Sequence, residues 1–191
     1  MATVQPMWGE IVDAHSSLVP DDLPRLHDME GYNYELYEGV LVRHMTSPLH
    51  GDICQRLGFE LGLYARTMGY PNRILQNALF DLTPPGASGR VVLAPAVSIV
   101  RGGTRPFAHV PHEVPLLAVE VAGVSQTQRA LHQKTQTYLQ AGVDEVWVVD
   151  VKARTVHVVN AAGTTTLNDS STLTSSLLPG FSLSVRYLFD G

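Results

Sequence analysis

Glu120 and Lys134 are the two residues of this chain whose positions most strongly suggest chemistry. Glu120 interrupts the apolar run Leu116–Val121, and Lys134 lies three residues after Leu131 and four before Tyr138, on the inward stripe of a predicted helix. Catalytic and binding sites are built from charged groups held in otherwise apolar surroundings. The structural alternative is that Glu120 hydrogen-bonds a nearby loop and that the amine of Lys134 reaches solvent past the helix edge.

The elements around these two residues predict a βαβ unit. Leu116–Val121 is typical of a buried strand, and Ser125 is an N-cap candidate for a helix over about 126–140. Glu145–Val151 follows as a second buried strand. A strand, a helix and a strand in this order form a right-handed crossover with parallel strands. Ligand sites in such sheets gather at the carboxyl ends of strands, where Glu120 lies, so the pair favours a functional site.

The composition favours one globular domain. The chain has 191 residues, 45% of them hydrophobic, and no apolar run approaches the roughly 18 residues of a membrane span. The lone Cys54 excludes an internal disulfide, and the N-terminus has no secretory signal pattern, so we expect cytoplasmic residence. A formal charge of −5 argues against a protein that coats nucleic acid through net charge alone, although a local basic cleft stays open.

The N-terminal part divides into an arm and the start of the domain. Residues 1–30 show no sustained periodicity and predict an irregular or partly helical arm, followed by a domain over 31–191. Tyr34–Tyr37 and Val40–Met45 alternate as two strands of a hairpin. The turn falls at Glu38 and the glycine after it, a residue that readily takes the positive φ such turns need.

A long amphipathic helix is predicted after this hairpin. Ser47 is its N-cap, with Pro48 at the first helical position, and His50 lies on its inward side. A histidine hydrogen-bonded at the edge of the core is the alternative to a functional His50. Two further strands are predicted over Ile74–Leu82 and Val91–Val100. With the βαβ unit, these elements predict a mixed α/β domain.

Several common chemistries find no support. One cysteine and eight scattered histidines show no zinc-ligand spacing. The chain also lacks the glycine-rich fingerprints of dinucleotide and phosphate-loop binding, and the GxSxG motif of α/β-hydrolases.

Three ordered motifs carry a family resemblance. They are YELYEGVLV at Tyr34–Val42, LAVEV followed by the helix that carries Lys134, and AGVDEVWVVD at Ala141–Asp150, and LPGFSL at Leu178–Leu183 follows them. The sequence resembles the bacterial putative restriction endonuclease family of the PD-(D/E)XK nuclease superfamily over about residues 20–188. This resemblance implies a restriction-endonuclease-like, three-layer α/β fold in which helices flank a mixed central sheet.

The resemblance also implies a metal-dependent site. In the superfamily, acidic residues on neighbouring strands bind a divalent metal, usually magnesium with manganese as an alternative, and a lysine supports the attacking water. Glu120 matches the acid of the second strand. The usual lysine position is Ala122, so Lys134 on the adjoining helix is the substitute. Glu38 matches the glutamate before the hairpin glycine, and His50 matches a histidine at the start of the following helix.

One departure from the family pattern puts the activity in question. The proline-aspartate step falls at Pro95 and Ala96, and a methyl group cannot bind magnesium. Asp81, taken as the second metal ligand, or Glu113 could supply the missing carboxylate. The domain could instead be an inactive nuclease-like module that binds nucleic acid or protein, or Ala96 could be a change introduced into this sequence. The resulting hypothesis is a magnesium-dependent DNA endonuclease, with homodimerisation as a further expectation.

Overall fold

The computed structural model describes residues 9–44, 47–70, 73–102, 109–122 and 126–190, which form α-helices and two main β-sheets. The helices are α1 (Asp22–Glu30), α2 (Pro48–Thr67), α3 (Gln128–Ala141) and α4 (Val185–Asp190). The strands are β1 (Glu10–Asp13), β2 (Asn33–Tyr37), β3 (Val40–His44), β4 (Arg73–Gln76), β5 (Phe80–Asp81), β6 (Val92–Leu93), β7 (Val97–Val100), β8 (Leu117–Ala122), β9 (Glu145–Asp150), β10 (Thr155–Asn160), β11 (Gly163–Leu167), β12 (Thr172–Leu173) and β13 (Leu183–Ser184).

The larger sheet contains the predicted βαβ unit. Its strand order is β11-β10-β9-β8-β7-β4, and β8 runs parallel to β9 with α3 as the crossover. The remaining pairs in this sheet are antiparallel. All six residues of β8 and of β9 are buried, as expected for strands covered on both faces. The predicted mixed sheet and its crossover are therefore confirmed.

Helices α2 and α3 cover opposite faces of this sheet. Val119 and Val121 of β8 pack in the core cluster that includes α2, whereas Ala118 and Ala122 pack in the cluster that includes α3. This alternation is the two-residue period of a β-strand. Glu120 lies two residues from each of these alanines and therefore on the same face of β8, so its side chain points towards α3. The three layers of α2, sheet and α3 match the predicted fold class.

The N-terminal hairpin belongs to a second sheet, which the sequence did not indicate. This sheet is antiparallel, with the order β1-β3-β2-β6-β5. The predicted hairpin is present, and its turn residues Glu38 and Gly39 have φ angles of 50° and 82°. Two consecutive positive φ angles are typical of the type I′ turns that suit the twist of a hairpin. Part of the predicted arm also joins this sheet, since β1 pairs with β3 and Leu23 of α1 is buried against it.

The two predicted strands over Ile74–Leu82 and Val91–Val100 are each broken in two. Their outer halves pair as β4 and β7 in the larger sheet, and their inner halves pair as β5 and β6 in the smaller one. The break in the first falls at Asn77, which has a φ of 50°. The break in the second falls at Pro95, which lacks the N–H that a continuous ladder would need. One long hairpin thus crosses from one sheet to the other.

Two side chains cap the helices that frame the site. Ser47 caps α2, where its hydroxyl accepts the backbone N–H of His50 at 3.2 Å, as predicted. The cap of α3 is Thr127, whose hydroxyl accepts the N–H of Ala130 at 3.2 Å, so this helix begins two residues later than expected. The predicted cap, Ser125, lies outside the described residues.

Candidate active site

Lys134 lies between two glutamates that come from different sheets. Its Nζ is 2.9 Å from Oε1 of Glu35 and 3.0 Å from Oε1 of Glu120. All three residues are buried, and only 4% of the Lys134 side chain is exposed. The sequence prediction that Glu120 and Lys134 converge is therefore correct in geometry. The lysine does not reach solvent past the helix edge, because its amine is held between two carboxylates.

Helix α3 holds this arrangement against the end of β8. Lys134 and Tyr138 lie one turn apart on the same face of α3, and both reach Oε1 of Glu120. The hydroxyl of Tyr138 donates to that oxygen at 2.6 Å. Among the described residues, no hydrogen bond or ion pair involves Oε2 of Glu120, and 9% of the Glu120 side chain is exposed. Glu120 therefore has one oxygen bound by two donors and one oxygen to which no described residue donates.

Glu35 is the acid that sequence analysis did not identify. It lies on β2 with the same parity as Tyr37, which packs in the α3-side core, and it is 1% exposed. Its Oε2 lies 2.8 Å from Nε2 of His44, and its Oε1 accepts the backbone N–H of Ala94 at 2.7 Å. Both oxygens are thus engaged, and Oε1 is shared with Lys134. A signal was available in the sequence, since Glu35 interrupts a hydrophobic strand just as Glu120 does.

The charges in this cluster are strongly coupled. Burial alone would raise the pKa of Glu35, but the positive charge of Lys134 and the contact with His44 outweigh it and hold the pKa at about 2. Burial raises the pKa of Glu120; Lys134 offsets part of this effect, while the charge of Glu35 adds to it. Burial would lower the pKa of Lys134, yet the two carboxylates raise it, so Lys134 stays an ammonium ion. Glu35 is the better-compensated acid because His44 and Ala94 also bind it.

His50 lies at the edge of the same cluster. Its pKa is lowered, chiefly by burial, while a backbone hydrogen bond with Val121 acts in the opposite direction. The positive charges of Lys134 and His44 add to the lowering. Nε2 of His50 is buried and makes no hydrogen bond within the described parts of the chain. An unpartnered buried nitrogen carries a desolvation penalty, which a ligand at this point would relieve.

The other acids singled out by sequence lie apart from this cluster. Glu38 is an exposed residue of the hairpin turn, whereas Glu120 and Lys134 are buried. Asp81 is buried on β5, where its carboxylate contacts Thr83, Arg90 and His112 rather than either member of the pair. Glu113 is exposed in the segment before β8. The functional roles of Glu38 and Asp81 thus remain predictions, and no contact with the cluster supports them.

Ala96 lies beside the strand that carries Glu120. Val97 is the first residue of β7 to pair with β8, and its partner is Val119. Ala96 itself precedes β7, is 3% exposed and packs in the core cluster that includes α2, whereas Glu120 faces α3. The position where the resemblance expects the second carboxylate therefore carries a methyl group that is buried in the core.

The donor set can be tested against a divalent cation. Within the described ranges, no three His, Cys, Asp or Glu side chains are grouped so that they could hold a metal ion. Carboxylate oxygens are nevertheless the type of ligand that magnesium prefers, because this ion keeps several waters and is commonly bound by one or two carboxylates together with substrate phosphates. Glu120 offers such an oxygen in Oε2. Glu35 offers none without giving up Lys134, His44 or Ala94.

Comparisons with known proteins agree with this fold. The family model of Uma2, described as putative restriction endonuclease, matches residues 20–186. A crystal structure of a putative nuclease belonging to DUF820, from Anabaena variabilis, superposes with a TM-score of 0.68. The two chains are 16% identical, and the match covers 82% of this chain and 89% of the other. No curated protein matches the sequence. The described helices include none with the length and apolar character that a membrane crossing needs.

Proposed function

The chain belongs to the Uma2 putative restriction endonuclease family, and we propose that it hydrolyses phosphodiester bonds in DNA with the help of a divalent cation, magnesium or manganese. The observation that carries this proposal is the contact of Lys134 with both Glu35 and Glu120 at the carboxyl end of β8. Two carboxylates and one ammonium ion, nearly enclosed on a rigid sheet and helix, are a costly arrangement for stability alone. They suit the stabilisation of charge on a reacting phosphate.

The side chains would divide the work as follows. Glu120 would hold the cation through Oε2, and the cation, when bound, lowers the pKa of its water and neutralises charge on the phosphate. Lys134 would orient the attacking water or donate to the phosphate oxygen that gains charge. Glu35 keeps Lys134 charged and in place. His50, neutral at physiological pH because burial lowers its pKa, would offer Nε2 to a water or phosphate group entering the site.

A second candidate function rests on Ala96. With a methyl group at that position, the cluster has two glutamates for one lysine and no further described acid to bind a cation. Cation affinity rises with the number of ligand charges, so a site with one accessible carboxylate oxygen is weak. The domain would then act as an inactive nuclease-like module that binds nucleic acid or protein. A homodimer and cytoplasmic residence remain predictions for either function.

The two candidates are separated by a cleavage assay. Supercoiled plasmid and single-stranded DNA are incubated with magnesium or manganese and with the wild type, Glu120→Gln, Ala96→Asp or Asp28→Asn. The last variant removes an exposed acid of α1 and serves as the control. We expect slow cleavage by the wild type and by Asp28→Asn, none by Glu120→Gln, and faster cleavage by Ala96→Asp.

Each other outcome has a distinct meaning. Cleavage by Ala96→Asp alone would support the inactive module and show that the scaffold is intact. Equal cleavage by the wild type and Glu120→Gln would assign the activity to another site or to a contaminant, which refutes the proposed mechanism. If no variant cleaves and calorimetry detects no cation binding, nuclease activity is excluded for this chain under these conditions.

A further inference from the structure

Tyr138 carries a hydroxyl group in a place where a phenyl ring would fill the same space. The residue is 0% exposed and packs among Ala130, Leu131 and the apolar side chains of β8 and β9. A buried phenol needs a hydrogen-bond partner, since an unsatisfied hydroxyl costs about 1–3 kcal/mol. Here the partner is the carboxylate of Glu120. The hydroxyl is therefore tied to the candidate active site.

We infer that Tyr138 is a positioning residue, whose hydroxyl fixes the Glu120 carboxylate so that Oε1 is committed to the protein and Oε2 is left for a ligand. This inference rests on the proposed function, in which Glu120 holds a divalent cation. Tyr138 touches neither the cation nor the DNA in this scheme, and it acts only through Glu120.

The geometry at Oε1 carries the argument. This oxygen receives the Tyr138 hydroxyl at 2.6 Å and the Lys134 ammonium group at 3.0 Å. Two donors occupy its lone pairs, and both come from one rigid face of α3. A carboxylate plane can turn about its terminal bond, and a half-turn only exchanges two equivalent oxygens. A smaller rotation of Glu120 would stretch or break the Tyr138 bond, so the hydroxyl restrains the plane of the carboxylate and with it the direction of the other oxygen.

The other carboxylate oxygen of Glu120, Oε2, receives no hydrogen bond from the described residues. Within the described chain, every hydrogen bond and ion pair of the Glu120 side chain involves Oε1. The side chain as a whole keeps 9% of its surface exposed. Burial, together with the charges of Glu120 and Glu35, raises the pKa of Tyr138 well above its ordinary value. The hydroxyl therefore keeps its proton and stays a donor at neutral pH.

Removing this hydroxyl should weaken cation binding without creating a cavity in the core. In Tyr138→Phe the ring remains, while Oε1 keeps only Lys134 as a donor and the carboxylate gains rotational freedom. Groups that orient a metal ligand typically change metal affinity by about 10- to 100-fold when they are mutated. Tyr64→Phe is the matched control, because Tyr64 donates its hydroxyl to the backbone carbonyl of Pro179 rather than to the cluster.

The test compares the wild type, Tyr138→Phe and Tyr64→Phe by two measurements. Calorimetry with manganese should show an affinity loss of about tenfold or more in Tyr138→Phe and none in Tyr64→Phe. Carbon-13 NMR of the glutamate carboxyl groups, with Glu120→Gln identifying the Glu120 signal, should show that signal displaced only in Tyr138→Phe. In the wild type, the Tyr138 hydroxyl proton should also give a slowly exchanging downfield signal that is absent from Glu120→Gln.

The outcomes separate this inference from the proposed function. If the wild type does not bind manganese, the cation-dependent function fails, and the Glu120 signal still decides whether Tyr138 orients the carboxylate. A folded Tyr138→Phe protein with wild-type manganese affinity and an unmoved Glu120 signal would overturn the inference. If Tyr138→Phe fails to fold, the inference is tested by the Tyr138 hydroxyl proton signal of the wild type. Absence of that signal would contradict the hydrogen bond from Tyr138 to Glu120.

Discussion

Replacing Lys134 by methionine should strongly destabilise the protein at neutral pH. Methionine has a similar length and no charge, so the variant leaves Glu35 and Glu120 facing each other without the cation that both contact. Removing one partner of a buried ion pair typically costs about 3–5 kcal/mol, because the remaining charge is left uncompensated. Whole domains are commonly stable by only about 5–15 kcal/mol. Lys134→Met should therefore lose a large fraction of the free energy of unfolding.

The pKa shift of Glu35 gives the sign of this effect and its order of magnitude. The pKa of Glu35 is held at about 2, against an ordinary value of 4.5, which corresponds to about 3 kcal/mol. An acid with a lowered pKa stabilises the fold above its unfolded pKa, and this contribution is lost as the pH falls from 4.5 towards 2. In Lys134→Met, burial raises the pKa of Glu120 further, whereas Glu35 keeps only His44 and Ala94 to oppose the same effect of burial. Acids with raised pKa values take up protons on folding, so the deficit of the variant should shrink between pH 8 and pH 5.

The measurement is denaturant unfolding, followed by circular dichroism at pH 8 and pH 5. Lys152→Met is the control, because Lys152 is the other lysine of the chain and is exposed. It should change the free energy of unfolding by less than about 0.5 kcal/mol. Adding Glu35→Gln and Glu120→Gln to Lys134→Met should recover part of the loss, since no buried charge of the triad then remains. A deficit below about 1 kcal/mol in Lys134→Met, equal at both pH values, would refute this account of the cluster.

Three further substitutions test the elements that frame the site by the same unfolding measurement. Gly89→Ala would place a β-carbon 2.4 Å from the carbonyl carbon of Glu38, so we expect a loss of about 1–3 kcal/mol, and an unchanged stability would show that this turn can shift freely. Gly62→Ala has no neighbour within 4 Å in the middle of α2 and should stabilise by about 0.5–1 kcal/mol, whereas a loss would reveal a contact absent from this structure. Thr127→Ala removes the hydroxyl that accepts the N–H of Ala130 and should cost about 1 kcal/mol; no effect would mean that another group caps α3.

The sequence determined the elements whose residues repeat with a clear local period. The β8-α3-β9 unit, the helix that follows Ser47 and the hairpin at Glu38 were all predicted from neighbouring residues. The convergence of Glu120 and Lys134 was also predictable. A crossover helix packs on its own sheet, so a charge on its inward face meets a charge on the face of the strand that it covers.

The tertiary structure decided which other groups complete the cluster. Glu35 and Glu38 lie on the same hairpin. Only the packing of one face of β2 against α3 shows that Glu35, which lies on that face, reaches Lys134. The hydrogen bond from Tyr138 to Glu120 was also hidden from the sequence, because a tyrosine on an inward stripe looks like any large hydrophobic residue. These contacts join segments far apart in the chain, and local periodicity carries no information about which distant strand a helix will meet.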